Sequence, residues 1–402
     1  RLFTEGEEVA LAITAGNAIE FYGKAPSPPY AKYAKHNVYW LTTSGGSGSP
    51  KRMAELDGTP GEGTVPSSHT FSLHDEQDLW YWLAAPGDDS LDRWFSTYIY
   101  GPGIHDDLHS QDGGLPVPLT LTLPGVSAQG SLKLRLCGVY DTEHEVAVTV
   151  NGTPMGSMRW SGIAFHEESF AGAPFLEGAN TVSLQCLSGT DEIALDWMEA
   201  TYPRAFSASG DSLKFTSNGS YRFEISGFTG SELELFDLTS PLEPKRIMNF
   251  QVSTDTVSFE PGETGERTYL VLGSSAVKTP AGITRDTAST LASSANGADY
   301  ILVTHRLLGW DGGGSPQHWL TSLVTLRESQ GLRVKVLDVQ DIFDEFSYGI
   351  SSPQAVKDFL AYAYASWQRP APQYVLLVGD ATFDPKGNYG WIVGDTTATY
   401  LP

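Results

Sequence analysis

The sequence predicts a multidomain protein in which β-sandwich modules precede an incomplete α/β domain with a parallel sheet. Short strands of alternating polar and apolar residues fill much of residues 76–290, which is typical of sheets with one solvated face. From residue 299 to 380 the pattern changes to strand, helix, strand, helix, strand. The first and third of these strands are continuous apolar runs, which indicates a sheet covered on both faces.

The composition suits an extracellular or cell-surface protein. Among 402 residues, 48 acidic and 25 basic side chains give a formal net charge of −23. Nucleic acids and anionic membrane surfaces need positive charge, so we expect neither as a partner. No apolar run is long enough to span a membrane, and the first residues do not form a signal peptide. We therefore expect an export signal that was removed or lies upstream.

Residues 1–75 are predicted as an N-terminal β-rich region. Gly, Ser and Pro are frequent there between short runs of β-forming residues. Ala18–Gly23 and Asn37–Leu41 are the clearest strands, because aromatic and β-branched residues alternate with polar ones.

Residues 76–203 are predicted as one jelly-roll β-sandwich. Their strands alternate strictly or are rich in aromatic residues, and Asn151-Gly152 has the composition of a two-residue hairpin turn. The predicted strands are Leu79–Leu83, Trp94–Tyr100, Leu119–Leu123, Leu132–Leu136, His144–Val150, Thr181–Cys186 and Ile193–Glu199. The pattern at Val150–Thr153, Gly178–Asn180 and Leu195–Glu199 resembles galactose-binding-like jelly rolls.

That resemblance implies a sugar-binding surface built from exposed aromatic rings. Trp94 and Trp160 are the candidate carbohydrate-binding residues. The alternative is that both rings pack in the core or between domains, since Trp is highly buried on average.

The two cysteines do not predict a disulfide. Cys137 shares strand parity with Lys133 and Arg135, whereas Cys186 shares parity with Val182 and Leu184. Opposite faces argue against a bridge.

Residues 204–290 are predicted as a small immunoglobulin-like β domain. The predicted strands are Ser212–Phe215, Tyr221–Ile225, Leu233–Phe236, Thr256–Phe259 and Thr268–Leu272. The following stretch, Lys278–Gly297, is rich in Thr, Ala and Ser, and is interpreted as a linker or a lightly helical bridge.

Residues 291–402 are predicted as the first part of an α/β domain. Strands are expected at Tyr300–Thr304, Leu332–Asp338 and Tyr374–Gly379, with helices beginning at Ser315-Pro316 and Ser352-Pro353. Three strands do not make a complete sheet of this kind. We therefore expect the chain to be the front part of something longer, or to be completed by another chain.

The candidate site lies at the carboxyl ends of these strands, where open α/β sheets bind ligands. His305 follows the first strand and Asp380 the third, and both flank a crevice if the strand order is 2-1-3. Asp338 and Asp341 end the second strand. The alternatives are a hydrogen-bonded loop histidine at 305 and a capping or turn carboxylate at 380.

A calcium site is a further hypothesis for the same edge. Asp380, Asp384 and Asn388 place three oxygen donors in one loop, and oxygen is the ligand that Ca²⁺ prefers. Their spacing is not that of an EF-hand loop.

Three runs resemble the start of the catalytic domain of gingipain-type cysteine peptidases. They are Ala298–His305, Gly331–Ile350 and Pro372–Asp380, and the aromatic-acidic loop Asp341–Gly349 is the most telling part. The preceding β-rich region, with Ile19–Gly23 and Asn37–Leu41, is similar to the leader region of large surface proteins of that family. The resemblance covers most of the chain and is strongest over residues 298–384.

The resemblance implies a caspase-like α/β fold, cleavage of protein or peptide substrates by a Cys–His dyad, and binding of Ca²⁺. In the family both dyad residues come after the segment seen here, and this sequence has no cysteine after Cys186. No catalytic residue is carried over, so we expect the chain to be inactive alone and to need the remaining C-terminal part of the peptidase domain. The alternative is a non-catalytic surface adhesion or carbohydrate-binding protein with a scaffold α/β domain.

Overall fold

A computed structural model describes residues 1–43, 48–88, 91, 93–106, 111–312, 314–379 and 382–389. The chain divides into two compact units. One unit is Met53–Thr279, and the other combines Arg1–Arg52 with Pro280–Pro402. The first 52 residues therefore pack with the C-terminal part of the chain, which no local sequence pattern predicts.

The secondary structure follows in chain order. The first 52 residues contain β1 (Leu2–Thr4), β2 (Glu7–Val9), β3 (Ala12–Ile13), β4 (Ile19–Glu20), α1 (Pro28–Ala31) and β5 (Trp40–Leu41). Residues 53–205 contain β6 (Ala54–Asp57), β7 (Ser68–Glu76), β8 (Trp80–Tyr81), β9 (Trp94–Phe95), β10 (Thr97–Tyr100), β11 (His105–Asp106), β12 (Gln111–Asp112), β13 (Val117–Leu123), β14 (Gly130–Gly138), β15 (Glu143–Val150), β16 (Thr153–Ser161), β17 (Phe165–Ala173), β18 (Gly178–Cys186) and β19 (Glu192–Ala205).

The remaining elements continue in the same order. Residues 206–279 contain β20 (Ser212–Asn218), β21 (Phe223–Ile225), β22 (Leu233–Asp237), β23 (Lys245–Met248), β24 (Gln251–Ser253), β25 (Thr256–Phe259), β26 (Glu266–Gly273) and a 3-10 helix (Ser274–Ala276). Residues 280–389 contain β27 (Tyr300–Thr304), α2 (Arg306–Gly309), α3 (His318–Ser329), β28 (Val334–Asp338), α4 (Val339–Phe346), α5 (Pro353–Ser366) and β29 (Tyr374–Val378). No helix in these described ranges is long and apolar enough to cross a membrane.

A β-sandwich is built from two antiparallel sheets. One has the order β10-β19-β14-β17, with β7 also paired to β19, and the other has the order β13-β18-β15-β16. Apolar side chains of alternating strand positions fill one core between them, among them Leu134, Val148 and Leu184, all fully buried. Antiparallel sheets with one buried face explain the strict alternation in the sequence.

The second β module pairs a five-stranded sheet, β20-β26-β22-β23-β6, with a three-stranded sheet, β21-β25-β24. Its core is rich in aromatic residues, including Phe215, Phe223 and Phe259. β6 joins this module through parallel pairing with β23, and β7 joins the sandwich through β19. β7 spans Ser68–Glu76, so the predicted boundary between residues 75 and 76 falls inside a strand. Local sequence patterns did not reveal this strand in full, because it pairs with β19, which is distant in sequence.

The two cysteines are buried, free thiols that belong to different clusters. Cys186 lies in the sandwich core, whereas Cys137 packs with Ala85, Phe95 and Ala194 on the other side of its strand. The polar face predicted for Cys137 is thus covered at this position. Burial raises the pKa of each thiol to about 12, so both remain protonated at neutral pH.

The α/β part is a parallel sheet of order β28-β27-β29. The central strand β27 is buried along its whole length. Ile301 and Val303 lie in a cluster with residues of α4 and α5, whereas Tyr300 and Leu302 lie in a second cluster with Leu320 of α3. The order is the 2-1-3 arrangement on which the predicted crevice depended.

Two predicted features of this part are wrong in detail. The stretch Asp341–Gly349 is not a loop, because residues up to Phe346 form α4, with Ile342 and Phe343 facing the core. The helix expected from Ser315 begins at His318, since Pro316 instead forms an isolated bridge with Trp310.

A carboxylate fixes the amino ends of the three parallel strands. Asp299 accepts hydrogen bonds from the backbone N–H of Arg333 (2.9 Å) and from its Nε and Nη2 (3.0 and 2.9 Å). The backbone C=O of Asp299 accepts from the N–H groups of Gln373 and Tyr374 (2.9 and 3.0 Å). The pair with Arg333 holds the pKa of Asp299 below its usual value.

A histidine and a carboxylate are buried together at one end of the sandwich. His144 Nδ1 lies 2.9 Å from Asp191 Oδ2, and its Nε2 lies 3.0 Å from the carbonyl oxygen of Gly162. Both side chains are fully shielded from solvent. Asp191 also accepts from the backbone N–H of Glu192 (2.8 Å). The pair therefore ties β15 to the start of β19.

Substitution Asp191→Ala is expected to destabilise the protein by about 3 kcal/mol, because it leaves the imidazole of His144 buried without its carboxylate. Urea unfolding followed by tryptophan fluorescence measures the change. Glu145→Ala is the matched control, since Glu145 lies on the same strand and pairs with the exposed Arg159. Equal losses for the two variants would contradict the assignment.

Candidate functional site

The carboxyl ends of the parallel strands meet at one edge of the sheet. Thr304, at the end of β27, is the register partner of both Asp338 in β28 and Val378 in β29. Thr304 is fully buried, and its Oγ1 has no hydrogen-bond partner. Parallel pairing thus brings the residues after each strand to a common edge, as predicted.

His305 lies at this edge as the N-cap of α2. Its Nδ1 accepts a hydrogen bond from the backbone N–H of Leu307 (3.2 Å). This is the hydrogen-bonded histidine of the alternative interpretation. The other member of the predicted pair, Asp380, lies outside the described residues.

Asp338 ends β28 and caps α4. Its carboxylate accepts from the backbone N–H of Gln340 (3.2 Å), which satisfies one of the open donors of the helix. The cap fixes the direction in which the chain leaves the sheet.

An acidic group surrounds the first turns of α4. Burial, reinforced by the charges of Asp338, Asp344 and Asp286, raises the pKa of Asp341 to about 6. Burial also raises the pKa of Asp344, although a hydrogen bond from Gln340 opposes this. The edge therefore carries carboxylates that repel one another at neutral pH.

Two of the three predicted calcium ligands are described. The buried carboxylate of Asp384 accepts from the backbone N–H groups of Asn388 and Tyr389, both at 2.7 Å. Asp384 therefore organises a turn whether or not an ion is bound. In the described residues no group of three or more His, Cys, Asp or Glu side chains could hold a metal ion.

The candidate sugar-binding rings are packed against protein. Trp94 is 3% exposed, and its ring lies 5.3 Å from that of Tyr81. A buried ring offers no face to a sugar, so the packing alternative describes Trp94. Trp160 is half-buried and stacks on His166 at 5.3 Å, with the His144 ring 4.8 Å away.

Sequence reasoning missed a contact between the chain's first residues and the turn after α4. Trp40 Nε1 donates to the carbonyl oxygen of Tyr348 (2.7 Å). A Cβ on Gly6 would lie 2.9 Å from the Tyr348 ring, so the ring closes directly over this glycine. The aromatic character of Trp40 and Tyr348 was the one available signal, and it does not name a partner.

Substitution Asp341→Asn is expected to make the protein more stable at pH 7–8, by about 1 kcal/mol after allowance for solvent screening. The pKa of Asp341 is raised on folding from 3.8 to about 6. Its contribution to stability is therefore complete at low pH and is lost as the pH rises through about 6. The variant and the parent should converge near pH 4. Thermal unfolding between pH 4 and 8 measures the difference.

Asp358→Asn is the control, because Asp358 lies on the exposed side of α5 and pairs with Gln354. A stability difference for Asp341→Asn that stays constant from pH 4 to 8 would show that burial of this carboxyl is not its cause.

Known proteins resemble the chain in two ways. Residues 293–400 match the model of peptidase family C25. The crystal structure of dimeric latent PorU from Porphyromonas gingivalis is similar over 95% of this chain, with a TM-score of 0.65 and 18% identity. This chain spans 37% of the length of that one, and at this identity the likeness concerns the fold. No curated protein matches the sequence.

Two carbohydrate-binding modules share a weaker likeness. The CBM36-1 domain of a multidomain xylanase from the hindgut metagenome of Trinervitermes trinervoides matches 33% of this chain and 96% of its own, at TM-score 0.23 and 13% identity. A CBM36 in complex with calcium and xylotriose matches 26% and 99%, at TM-score 0.19 and 13% identity. Neither likeness bears on the ligands of this chain. The match of residues 293–400 to the model of peptidase family C25, the gingipain family, confirms the predicted resemblance.

Proposed function

We propose that the chain is the N-terminal portion of a secreted or cell-surface gingipain-type cysteine endopeptidase. The observation that carries the proposal is the parallel sheet of order β28-β27-β29, which lies within the residues matched to family C25. In this proposal residues 291–402 form the first part of a caspase-like catalytic domain, and protein or peptide chains are the substrates.

The dyad of the proposed enzyme lies outside residues 1–402. A nucleophilic cysteine needs an accessible thiolate beside an imidazole. Cys137 and Cys186 are instead fully buried in the β-sandwich, where burial raises each thiol pKa to about 12. His305, at the sheet edge, has its Nδ1 engaged by Leu307. The described residues would form the first three strands of the sheet and part of its carboxyl edge. Later strands would supply the nucleophile and the base.

The outer strand of the sheet supports completion by further residues of the peptidase domain. Val375 and Leu377 pair with Ile301 and Val303 across the sheet, yet they are 46% and 50% exposed. The same face of the central strand is fully buried under α4 and α5. We propose that the remaining C-terminal part of the domain covers this strand.

The complete gene product is expected to cleave a fluorogenic protein substrate, and iodoacetamide is expected to abolish the cleavage. Residues 1–402 alone are expected to show no cleavage. The double variant Cys137→Ala/Cys186→Ala of the complete product should keep its activity and its sensitivity to iodoacetamide. Activity of residues 1–402 that iodoacetamide removes would contradict the proposed position of the dyad.

A thiol titration is the matched control on residues 1–402. The two buried thiols should react slowly with an aromatic disulfide reagent in the native state and rapidly in denaturant. If either thiol reacts at once in the native state, the argument from burial fails, even where the peptidase assignment stands.

Calcium at the 380–388 loop is a further part of the proposal. Asp384 and Asn388 offer oxygen donors, which suit Ca²⁺ by type. The variant Asn388→Ala removes only a side chain, because the backbone N–H that binds Asp384 is kept. Added Ca²⁺ should raise the melting temperature of the parent more than Mg²⁺ does, and the variant should lose that difference. An equal response of parent and variant would exclude Asn388 as a ligand.

The carbohydrate-binding alternative stays a prediction. Its remaining candidate, Trp160, is half-buried between other rings. A glycan array probed with the parent and with Trp160→Ala decides it, because binding that the substitution leaves unchanged would exclude this ring.

A further inference from the structure

Three asparagines of the chain are followed by glycine. They are in Asn151-Gly152, Asn218-Gly219 and Asn296-Gly297. In such a pair the side-chain amide can react with the backbone nitrogen of the next residue, and glycine has no side chain to hinder the approach. The three sites are equivalent by sequence, so a difference in their reactivity comes from how the fold holds each amide.

The amide of Asn151 is fixed at both of its polar atoms. Its Nδ2 donates to the carbonyl oxygen of Pro174 (3.0 Å) and to Oδ1 of Asn180 (2.9 Å). Its Oδ1 accepts from the backbone N–H of Thr181 (2.9 Å). The side chain must break these hydrogen bonds before it can turn towards Gly152.

The amide of Asn296 is held in the same way. Its Nδ2 donates to the carbonyl oxygens of Thr290 (2.6 Å) and Ser293 (3.1 Å). Its Oδ1 accepts from Nζ of Lys335 (3.3 Å). The backbone carbonyl oxygen of Asn296 accepts from the N–H of Gln368 (2.8 Å), so the main chain is fixed here as well.

Asn218 differs from both, because its side-chain amide has no hydrogen bond in the fully described stretch around it. The residue is exposed and is the last residue of β20. Its register partner is Glu266, the first residue of β26, and β20 is the outer strand of its sheet. The pair therefore closes one end of the ladder, where opening costs little free energy.

We propose that Asn218 is a site of spontaneous deamidation, at which aspartate and isoaspartate form as the protein ages. The backbone nitrogen of Gly219 forms a bond to Cγ of Asn218, and the side-chain nitrogen leaves as ammonia with the proton of the backbone N–H. Water then adds to one of the two carbonyl carbons of the resulting succinimide ring, and a ring C–N bond breaks. No atom changes its oxidation state, and the inference does not depend on the proposed function.

The reaction changes the end of the ladder. It places a carboxylate directly across from Glu266, and like charges directly opposite on neighbouring strands destabilise their pairing. The isoaspartate form also adds a carbon atom to the main chain, which disturbs the register with β26 at this point. Phe215, three residues earlier in β20, is buried in the aromatic core of the module. We therefore expect the end of the ladder to open while this core persists.

Peptide mapping of the full 402-residue chain by mass spectrometry tests the site. During incubation at pH 8, the peptide with Asn218 should gain one mass unit about tenfold faster than the peptides with Asn151 or Asn296, because their amides must first lose hydrogen bonds. Methylation by protein isoaspartate methyltransferase identifies the isoaspartate form.

The unfolded chain is the control, since the three peptides should react at similar rates in denaturant. If Asn151 or Asn296 reacts as fast as Asn218 in the native chain, the proposal is overturned. The same holds if Asn218 stays intact in the native chain while all three sites react in denaturant.

The variant Asn218→Gln tests the chemistry at this position. Its side chain is one methylene longer, so the ring would have six members and form far more slowly. The mass gain in this peptide should disappear, whereas the slow reactions of Asn151 and Asn296 should not change. A gain that persists in the variant would assign the reaction to another residue and overturn the proposal.

The variant Asn218→Asp tests the effect of the product. Amide hydrogen exchange at the end of β20 and the start of β26 should be about threefold faster than in the fresh parent, because of repulsion from Glu266. The double variant Asn218→Asp/Glu266→Gln is the matched control and should exchange at the rate of the parent. Equal exchange in Asn218→Asp and the parent would contradict the expected opening of the ladder.

Discussion

The α/β part of the molecule depends on a central strand that is buried on both faces. Every residue of β27 is shielded from solvent, so each face needs its own layer of helices. Helix α3 covers one face, and α4 with α5 covers the other. The carboxyl end of β27 then becomes an enclosed edge, with Thr304 between the ends of its two neighbours. The burial of β27 on both faces therefore limits the positions open to a reacting group, whichever side chains act on it.

The β modules follow a different rule, because their strands have one buried face each. Alternating positions fill the sandwich core, and the polar positions face outward or pair across strands, as Lys133 does with Glu167 at 2.7 Å. The buried polar side chains of the sandwich include His144 and Asp191, which bind each other. Both thiols of the chain are buried in this module. Protonated and shielded, they are structural residues, which leaves the nucleophile of the proposed enzyme to another part of the protein.

Local sequence patterns predicted the features that residues close in sequence determine, such as buried strands and helix starts. The apolar run at Tyr300–Thr304 gave a strand with two buried faces, and Ser352-Pro353 marked the start of a helix that begins at Pro353. The patterns failed where residues distant in sequence determine strand pairing or burial. β6 pairs with β23 across nearly the whole of one unit, and Trp94 is buried by neighbours that its own strand does not reveal. The interpretation of Asp341–Gly349 as a loop is wrong, because Ile342, Phe343 and Phe346 have helical spacing and pack one face of α4 against the core.

The position of His305 and Asp338 shows the same limit at the candidate site. Sequence order placed both at strand ends, and the parallel register brings those ends together. What it did not predict is that each side chain caps the helix that follows its strand, because capping depends on the local turn. A residue at the carboxyl edge of such a sheet can therefore have a structural role, as the cap of the helix that follows its strand.

Repulsion between carboxylates acts between the exposed segment of residues 277–288 and the carboxyl edge of the sheet. Asp286 lies in this segment, and its charge helps to raise the pKa of both Asp341 and Asp344 on α4. The repulsion acts in both directions, so ionised carboxylates on α4 also disfavour close approach of the segment at Asp286. Three residues later, Glu345 accepts hydrogen bonds from Ser289 and Leu291. The exposed segment therefore ends where repulsion between like charges is replaced by hydrogen bonding.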